Sequence, residues 1–257
     1  MDFHIEDKGE GRPVLFIHAG VADSRMWRHQ MGLDGLRSIA FDKRGFGKTP
    51  FRPEPFSDTD DSIAVLDQLE VDSAVIVGCS MGGETALDLA IQHAGRVDAL
   101  VLISAIPNGW EPDGGWVDFQ YAVEAGAAAD SGDLEQMLEI EFMRWGVGHG
   151  RAESDVIPDV RELFCDMDRR ALETEEEREK YQTGFDRDLN GRMDQIDCPT
   201  LVMVGGHDEP AFIEAAHHLA GRLSDRPAIV VPGAAHLTPL EQPDVFNQEL
   251  LAFLGTI

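Results

Sequence analysis

The sequence predicts an α/β fold, in which helices cover both faces of a mostly parallel, doubly wound sheet and a helical insertion lies beside it. Short apolar runs alternate with segments of helical spacing over most of the 257 residues, as in strand–helix–strand units. The alternation stops between residues 107 and 197, a stretch of helical spacing without a convincing strand. We therefore expect a core formed by residues 1–106 and 198–257, and a helical cap, or lid, formed by residues 107–197.

Six short apolar runs are typical of strands buried on both faces, because each is brief and rich in β-branched or aromatic residues. Strands that alternate with helices run parallel, since each helix returns the chain to the same end of the sheet. The predicted strands are residues 14–18, 38–42, 74–78, 99–104, 200–205 and 228–232.

Helices are predicted where apolar residues recur at helical spacing between or after these strands. Ser24 is a candidate N-cap for the first of them, because its hydroxyl could accept from an amide of the first turn. The predicted helices are residues 24–32, 81–93, 211–223 and 243–254 in the core, and residues 131–145, 155–172 and 173–188 in the insertion.

The chain is strongly acidic, with 48 Asp and Glu residues against 21 Lys and Arg residues and a formal net charge of −27. A field of this sign repels nucleic acids and anionic membrane surfaces, so we expect neither as a partner. The acidic residues are scattered along the whole chain, a pattern that resembles proteins adapted to high salt. The alternative is an acidic composition that needs no salt.

The N-terminus lacks the basic and apolar regions of a signal peptide, and no uncharged apolar run reaches the roughly 18–20 residues of a membrane span. The three cysteines, Cys79, Cys165 and Cys198, are too few for a disulfide framework and match no zinc-binding spacing. We expect a cytoplasmic protein with reduced thiols and without a bound metal.

The pentapeptide Gly78-Cys79-Ser80-Met81-Gly82 matches G-x-S-x-G and lies between a predicted strand and a predicted helix. A strand that turns sharply into a helix holds its central residue in a strained conformation, and larger residues at the glycine positions would clash. The turn presents the serine hydroxyl at the positive N-terminal end of the helix. We predict that Ser80 is a nucleophile; the alternative is a glycine-rich turn with an incidental serine.

A serine hydroxyl becomes a good nucleophile when a histidine accepts its proton and a carboxylate orients that histidine. Asp208 follows the predicted strand 200–205, and His236 follows the predicted strand 228–232. Serine, acid and histidine therefore lie in that chain order, each past the carboxyl end of a parallel strand. We predict that His236 is the base and Asp208 the orienting acid, with the adjacent Glu209 as the alternative carboxylate.

Acyl transfer also needs two backbone N–H groups that stabilise a developing oxyanion. One is expected from Met81, directly after the predicted nucleophile. The other is expected from the loop after the strand 14–18, where Gly20 is our choice and Val21 is the alternative.

Three further stretches extend the pattern, namely His18-Ala-Gly, Asp42-Lys-Arg-Gly-Phe-Gly and Gly233-Ala-Ala-His-Leu-Thr-Pro-Leu-Glu-Gln-Pro. With the G-x-S-x-G turn they make nearly the whole chain similar to the α/β-hydrolase superfamily, in particular to its capped esterases, enol-lactonases and cofactor-free haloperoxidases. The resemblance implies an α/β-hydrolase fold, a helical cap and no cofactor. Because residues 3–6 resemble the second strand of the superfamily's sheet, it also implies about seven strands.

Within that superfamily, a serine nucleophile implies an ester, a lactone, a thioester or a carbon–carbon bond beside a carbonyl as the substrate. Our first interpretation is hydrolysis of a small carboxylic ester or lactone through an acyl-enzyme. The alternatives are a C–C bond hydrolase or lyase that uses the same triad, and a ligand-binding protein that has kept the fold without catalysis. Since aromatic residues crowd the insertion, we predict that Trp116 and Trp145 line an apolar acyl pocket above Ser80.

Overall fold

In the computed structural model, which describes residues 1–113, 115, 119–184 and 187–257, seven strands form one sheet. The order across the sheet is β1-β3-β2-β4-β5-β6-β7. β1 pairs antiparallel with β3, and every other pairing among these strands is parallel. The prediction of a mostly parallel sheet of about seven strands is confirmed. The strands are β1 (Ile5–Lys8), β2 (Arg12–Ile17), β3 (Leu36–Phe41), β4 (Ala74–Cys79), β5 (Val97–Ile103), β6 (Thr200–Gly205) and β7 (Ile229–Val231).

β2 and β4 mark the switch point of the sheet, because the chain passes from β2 to β3 on one side and then crosses to β4 on the other. Ligand sites of open α/β sheets lie at the carboxyl ends of the strands at such a point. The two strands end side by side, since Ile17 of β2 pairs with Gly78 of β4. The loops predicted to hold the oxyanion donor and the nucleophile therefore begin next to each other.

Eight α-helices lie within the described residues, and three of them stand between β5 and β6. None of the eight combines the length and the apolar character that crossing a bilayer would require. They are α1 (Asp58–Gln68), α2 (Met81–Gln92), α3 (Phe119–Ser131), α4 (Leu134–Glu141), α5 (Pro158–Glu179), α6 (Pro210–Leu223), α7 (Thr238–Glu241) and α8 (Pro243–Leu254). Shorter helical turns cover Ser24–Trp27, Ala94–Arg96, Glu153–Asp155 and Asn190–Gln195, and the π-helical stretch Phe142–Val147 continues α4.

The prediction of a helix over residues 24–32 is wrong, because only the short turn Ser24–Trp27 is helical there. Its cap is Asp23 and not Ser24, since the Asp23 carboxylate accepts from the Arg25 amide at 3.0 Å. Gly32, at φ 89°, is itself outside the helical region, so a helix could not have reached residue 32.

The prediction of separate helices over 155–172 and 173–188 is also wrong, because α5 is one continuous helix of 22 residues. The sequence around residue 173 contains no glycine or proline that would break it. After α5 the chain pairs instead with a core segment, through a parallel bridge between Phe56 and Gln182.

α1 has no counterpart among the predicted helices, although its sequence carries a start signal. The Ser57 hydroxyl accepts from the Asp60 amide at 3.1 Å, and three acidic residues occupy the first turn. Both features stabilise the positive N-terminal end of a helix.

Each face of the sheet is buried under its own apolar cluster. On β2, Val14 and Phe16 belong to one cluster, whereas Leu15 and Ile17 belong to the other. All four side chains are fully buried. This burial on both faces explains why the strand is a continuous apolar run in the sequence.

α5 packs against the loop that follows β3. The Thr174 hydroxyl donates to the Gly45 carbonyl at 2.8 Å. The Arg178 guanidinium lies 4.0 Å from the centre of the Phe46 ring, a favourable cation–π distance. These contacts bring one face of α5 close to the carboxyl edge of the sheet.

Candidate active site

Ser80 lies at a sharp turn between β4 and α2. Its backbone has φ 54° and ψ −119°, a conformation that residues other than glycine rarely adopt. Its amide donates to the Ile103 carbonyl at 2.8 Å, which ties the turn to β5. A side chain at Gly78 would collide with the backbone of Gly82, and a side chain at Gly82 would collide with the backbone of Ile17. Both glycines of the motif are therefore required for the tight packing around Ser80.

Asp208 and His236 form a buried pair at the ends of the adjacent strands β6 and β7. Nδ1 of His236 lies 3.0 and 3.1 Å from the two carboxylate oxygens of Asp208. Each residue is only 2% exposed. Because an ionised carboxylate can only accept, the pairing assigns the ring proton to Nδ1 and leaves Nε2 as the basic nitrogen.

Glu209, the alternative carboxylate, is engaged with other partners. Its oxygens lie 3.3 Å from Nε of Arg144 and 3.1 Å from the ring of His149. The geometry therefore favours Asp208 as the acid beside His236.

The loop that carries His236 is held tightly across the end of β6. A side chain at Gly205 would collide with the Ala235 carbonyl, so the loop can approach only because residue 205 is glycine. The Glu241 carboxylate accepts from the Ala235 amide at 2.9 Å and forms a buried ion pair with Arg151 at 2.5 Å. Burial raises the pKa of Glu241, and the charge of Arg151 opposes that shift. Arg151 belongs to the segment between β5 and β6, so that segment helps to position His236.

Ser80 and His236 line one cavity of about 230 Å³. Met81, Gly20 and Val21 line it as well, so the candidate backbone donors and the candidate nucleophile share one space. The Met81 amide belongs to the first turn of α2, whose N–H groups have no partner within the helix. The cavity is slightly smaller than the roughly 300–1,000 Å³ of typical ligand pockets, and therefore suits a small molecule.

His18 supports the loop after β2. It is fully buried; its Nε2 accepts from the Lys43 amide at 3.0 Å, and its Nδ1 lies 2.8 Å from the Ala19 carbonyl. These contacts assign the proton to Nδ1, which donates to Ala19. Burial, together with the charge of Lys43, lowers the pKa of His18 well below its usual value. A neutral His18 therefore fixes the backbone just before Gly20.

A model of the alpha/beta hydrolase family matches residues 14–249, from β2 into α8. The chain belongs to this family. The match spans Ser80, Asp208 and His236, and it confirms the resemblance inferred from the motifs.

Three similar proteins illustrate the activities found among relatives of this alpha/beta hydrolase. A pimeloyl-(acyl-carrier protein) methyl ester esterase of Nitrosospira multiformis is 26% identical over 98% of both chains. A 2-hydroxy-6-oxo-6-(2'-aminophenyl)hexa-2,4-dienoic acid hydrolase of Metapseudomonas resinovorans is 27% identical over 97% of this chain and 86% of its own. The structure of an N-acyl homoserine lactone degrading enzyme is 25% identical, covers 98% of this chain and 96% of its own, and superposes with a TM-score of 0.76.

Trp145 gives the hydrolase's cavity an aromatic surface beside His236. The indole and imidazole ring centroids are 4.4 Å apart. The Glu141 carboxylate lies beside the Trp145 side chain, which opposes the rise in the pKa of Glu141. Of the two tryptophans predicted to line a pocket, Trp145 lines this cavity, and Trp116 lies outside the described residues.

One face of α5 provides much of the remaining cavity wall, and it was not foreseen from the sequence. Four of the six α5 residues that line the cavity have ionisable side chains. The sequence shows that these residues recur at helical spacing and so share one face of a helix. It does not show which face of that helix lines a site. The cavity-lining residues of α5 are Asp168, Ala171, Leu172, Glu175, Arg178 and Glu179.

The pKa values of two acidic side chains that line the cavity, Asp168 and Glu141, are raised. The pKa of Asp168 is raised to about 8, mainly by burial and to a smaller extent by repulsion from Glu141 and Glu175. Burial likewise raises the pKa of Glu141, against the opposing effect of the Trp145 side chain. Among the residues that the structure describes, no group of three or more acidic, histidine or cysteine side chains is placed to hold a metal ion.

Proposed function

We propose that the protein hydrolyses a small carboxylic ester or lactone, with Ser80 as nucleophile, His236 as base and Asp208 as the acid that orients the base. The proposal is carried by the buried Asp208–His236 pair, which shares one cavity with the strained turn of Ser80. A histidine that donates from Nδ1 to a carboxylate keeps Nε2 available to accept the serine proton.

The reaction begins when Oγ of Ser80 attacks the substrate carbonyl carbon and Nε2 of His236 takes the hydroxyl proton. The carbonyl oxygen becomes an oxyanion, which the amides of Met81 and Gly20 stabilise, with Val21 as the alternative second donor. His236 then protonates the leaving alkoxide as the ester bond breaks, and an acyl-enzyme remains. Water attacks the acyl-enzyme while His236 takes a proton from it, and the carboxylic acid leaves as Ser80 regains its hydroxyl.

Two of the relatives support an ester or lactone as the substrate. One is a methyl ester esterase, and the other degrades an acyl homoserine lactone. Both bond types present a carbonyl carbon with an alkoxide leaving group, so one set of catalytic groups serves for either. The cavity volume of about 230 Å³ adds that the part of the substrate bound beside Ser80 is small.

A second candidate is hydrolysis or lysis of a carbon–carbon bond beside a carbonyl. It is favoured by the relative named as a hydrolase of a 6-oxo-2,4-dienoic acid, a compound whose name contains a ketone and no ester. The same Ser80, His236 and Asp208 would act, but the leaving group would be a carbon that must be protonated.

Labelling with a fluorophosphonate probe and a comparison of two substrates test the proposal. A serine hydrolase forms a covalent adduct with the probe, whereas a ligand-binding protein that has kept the fold does not. Turnover of p-nitrophenyl acetate without turnover of a ring-cleavage dienoic acid supports ester hydrolysis. The opposite pattern supports the carbon–carbon bond as the substrate.

A further inference from the structure

Asp168 is a buried carboxyl group with an unsatisfied oxygen. The residue is 1% exposed, and it lines the cavity that also holds Ser80 and His236. Its Oδ2 atom has no hydrogen-bond partner within the described part of the chain. Buried polar atoms are nearly always paired in folded proteins, so an unpaired oxygen on a cavity wall indicates a partner that enters the cavity.

Further carboxylates line the same cavity. Glu141 comes from α4, and Glu175 and Glu179 come from the face of α5 that also carries Asp168. We call these four residues the acidic wall. Glu141 extends the wall toward His236, because it lies beside the side chain of Trp145, whose ring packs against the His236 ring.

Arg178 lies beside the acidic wall, and its charge partly offsets the raised pKa of Glu175. Arg178 is the one basic residue, lysine or arginine, among the described residues that line the cavity. Its guanidinium donates to the Ala171 carbonyl at 3.2 Å and to the Thr174 hydroxyl at 3.3 Å, and it lies over the ring of Phe46. The four acidic side chains of the wall thus face a single arginine among the described lining residues.

We propose that the acidic wall binds a cationic group of the substrate, so that the enzyme prefers an ester or lactone that carries a protonated or quaternary amine. A protonated amine donates to the unpaired oxygen of Asp168, and a cation of either kind favours the ionised form of this carboxyl and offsets the repulsion among the wall's acidic groups. A carboxylate on the substrate would add to that repulsion. The proposal rests on the proposed function of Ser80, since it names the substrate class of the same site.

Two pairs of equally shaped substrates test the proposal. On the alcohol side, acetylthiocholine is compared with its uncharged carbon analogue, S-neohexyl thioacetate. On the acyl side, the p-nitrophenyl ester of γ-trimethylammoniobutyrate is compared with its tert-butyl analogue. At low salt, we expect kcat/KM for the cationic member to exceed that of the neutral member by about tenfold or more in at least one pair, given the size of charge–charge interactions near a protein surface. Equal or lower values in both pairs would overturn the proposal.

Three variants separate the acidic wall from the overall charge of the protein. A bound cation favours the ionised forms of Asp168 and Glu141, which the amides of Asp168→Asn and Glu141→Gln cannot adopt. In both variants the ratio of cationic to neutral kcat/KM is expected to fall by about threefold to tenfold. Glu176→Gln is the control, because it removes the same unit of charge from the 90% exposed side chain of Glu176 on α5. An equal fall in the control would assign the preference to the general field of the protein and would overturn the role of the wall.

A binding measurement keeps this proposal distinct from the proposed catalytic function. Calorimetric titration of Ser80→Ala with the two acyl-side esters needs no turnover. Tighter binding of the cationic ester supports the proposed role of the acidic wall, even if fluorophosphonate fails to label Ser80 and the catalytic proposal is wrong. Equal binding of the two esters overturns the proposed role of the acidic wall, even if the neutral ester proves to be a good substrate.

Discussion

Trp145 holds His236 through both its side chain and its backbone. The two rings are 4.4 Å apart between centroids and inclined by 41°, and the Trp145 carbonyl accepts from the His236 amide at 3.2 Å. Asp208 holds the same imidazole from the core, at 3.0 Å. The proposed catalytic histidine is thus positioned from two sides, once by the sheet and once by the segment between β5 and β6.

Trp145→Ala is expected to change the preference among esters more than it changes stability. The substitution widens the cavity beside His236 and removes the indole that lies beside Glu141. We expect the relative kcat/KM of short and long acyl esters to shift by about tenfold or more, as for other changes of pocket size. Trp116→Ala is measured on the same acyl series, because the sequence predicts that Trp116 also lines the acyl pocket. Trp110→Ala is the control, because Trp110 stacks on His218, outside the residues that line the cavity.

An unchanged chain-length profile in both Trp145→Ala and Trp116→Ala would mean that the acyl pocket lies elsewhere. A shift of equal size in Trp110→Ala would assign the effect to general loosening of the insertion.

Asp208→Asn is expected to lower kcat by roughly 10³–10⁴-fold, because the amide can no longer stabilise the imidazolium and favours the wrong tautomer of His236. Glu209→Gln serves as the matched control, since Glu209 pairs with Arg144 and His149 instead. Steady-state kinetics on p-nitrophenyl acetate compare the two variants. A large loss in Glu209→Gln with little loss in Asp208→Asn would reassign the orienting acid to Glu209.

Asp168→Asn is expected to stabilise the protein relative to the wild type increasingly as the pH rises from about 4 to about 8. The pKa of Asp168 is raised to about 8 in the folded chain, against the model-compound value of 3.8 that applies to the unfolded chain. Between these values the folded state retains a proton that the unfolded state has lost, so the folded carboxyl contributes less stability as the pH increases. The difference in unfolding free energy is expected to grow by at most about 1.4 kcal/mol per pH unit and to level off above pH 8.

Denaturant titrations of the wild type and Asp168→Asn across this pH range measure that difference. The groups that act on Asp168 are Glu141 from α4 and Glu175 from its own helix. The Glu176→Gln variant, altered at an exposed side chain, should show a nearly constant difference from the wild type. A constant difference for Asp168→Asn as well would contradict the buried, protonated state of this carboxyl.

The thermal midpoint of the protein is expected to rise with salt. The net charge is −27, and carboxylates such as those of Glu176 and Asp225 are 90% and 93% exposed. The Debye length falls from about 10 Å at 0.1 M salt to about 3 Å at 1 M, so brine screens the repulsion that otherwise favours the unfolded chain. Melting curves from about 0.05 to about 3 M NaCl measure the effect. Sucrose is the control, because it stabilises proteins through its exclusion from their surface and screens no charge. A thermal midpoint that stays constant or falls with salt would mean that the acidic composition is not an adaptation to high salt.

The central strands of the sheet could be predicted because they are buried on both faces, which makes segments such as β4 and β6 continuous apolar runs. Ser80, Asp208 and His236 could be predicted as catalytic candidates because each follows a predicted strand, and parallel strands bring their carboxyl ends to one edge. Local spacing suggested a helix over residues 24–32, but only Ser24–Trp27 forms a helical turn, and the positive φ of Gly32 is incompatible with a helix that reaches residue 32.

The acidic wall could not be predicted, because it depends on how α5 packs against the core. Asp168 and Glu175 share a helix face with Ala171 and Leu172, and that face could equally have met solvent or the sheet. The contacts that decide it, such as that of Arg178 with Phe46, join segments far apart in the sequence.

The central claim, that Ser80 is the nucleophile, is tested most directly by the kcat of Ser80→Ala on p-nitrophenyl acetate. The control is Ser131→Ala, at the end of α3, where the hydroxyl bonds only to a carbonyl of its own helix. We expect Ser80→Ala to fold normally and to lose at least roughly 10³-fold in kcat, because only backbone stabilisation and binding remain. Retention of most of the activity in folded Ser80→Ala would contradict the account.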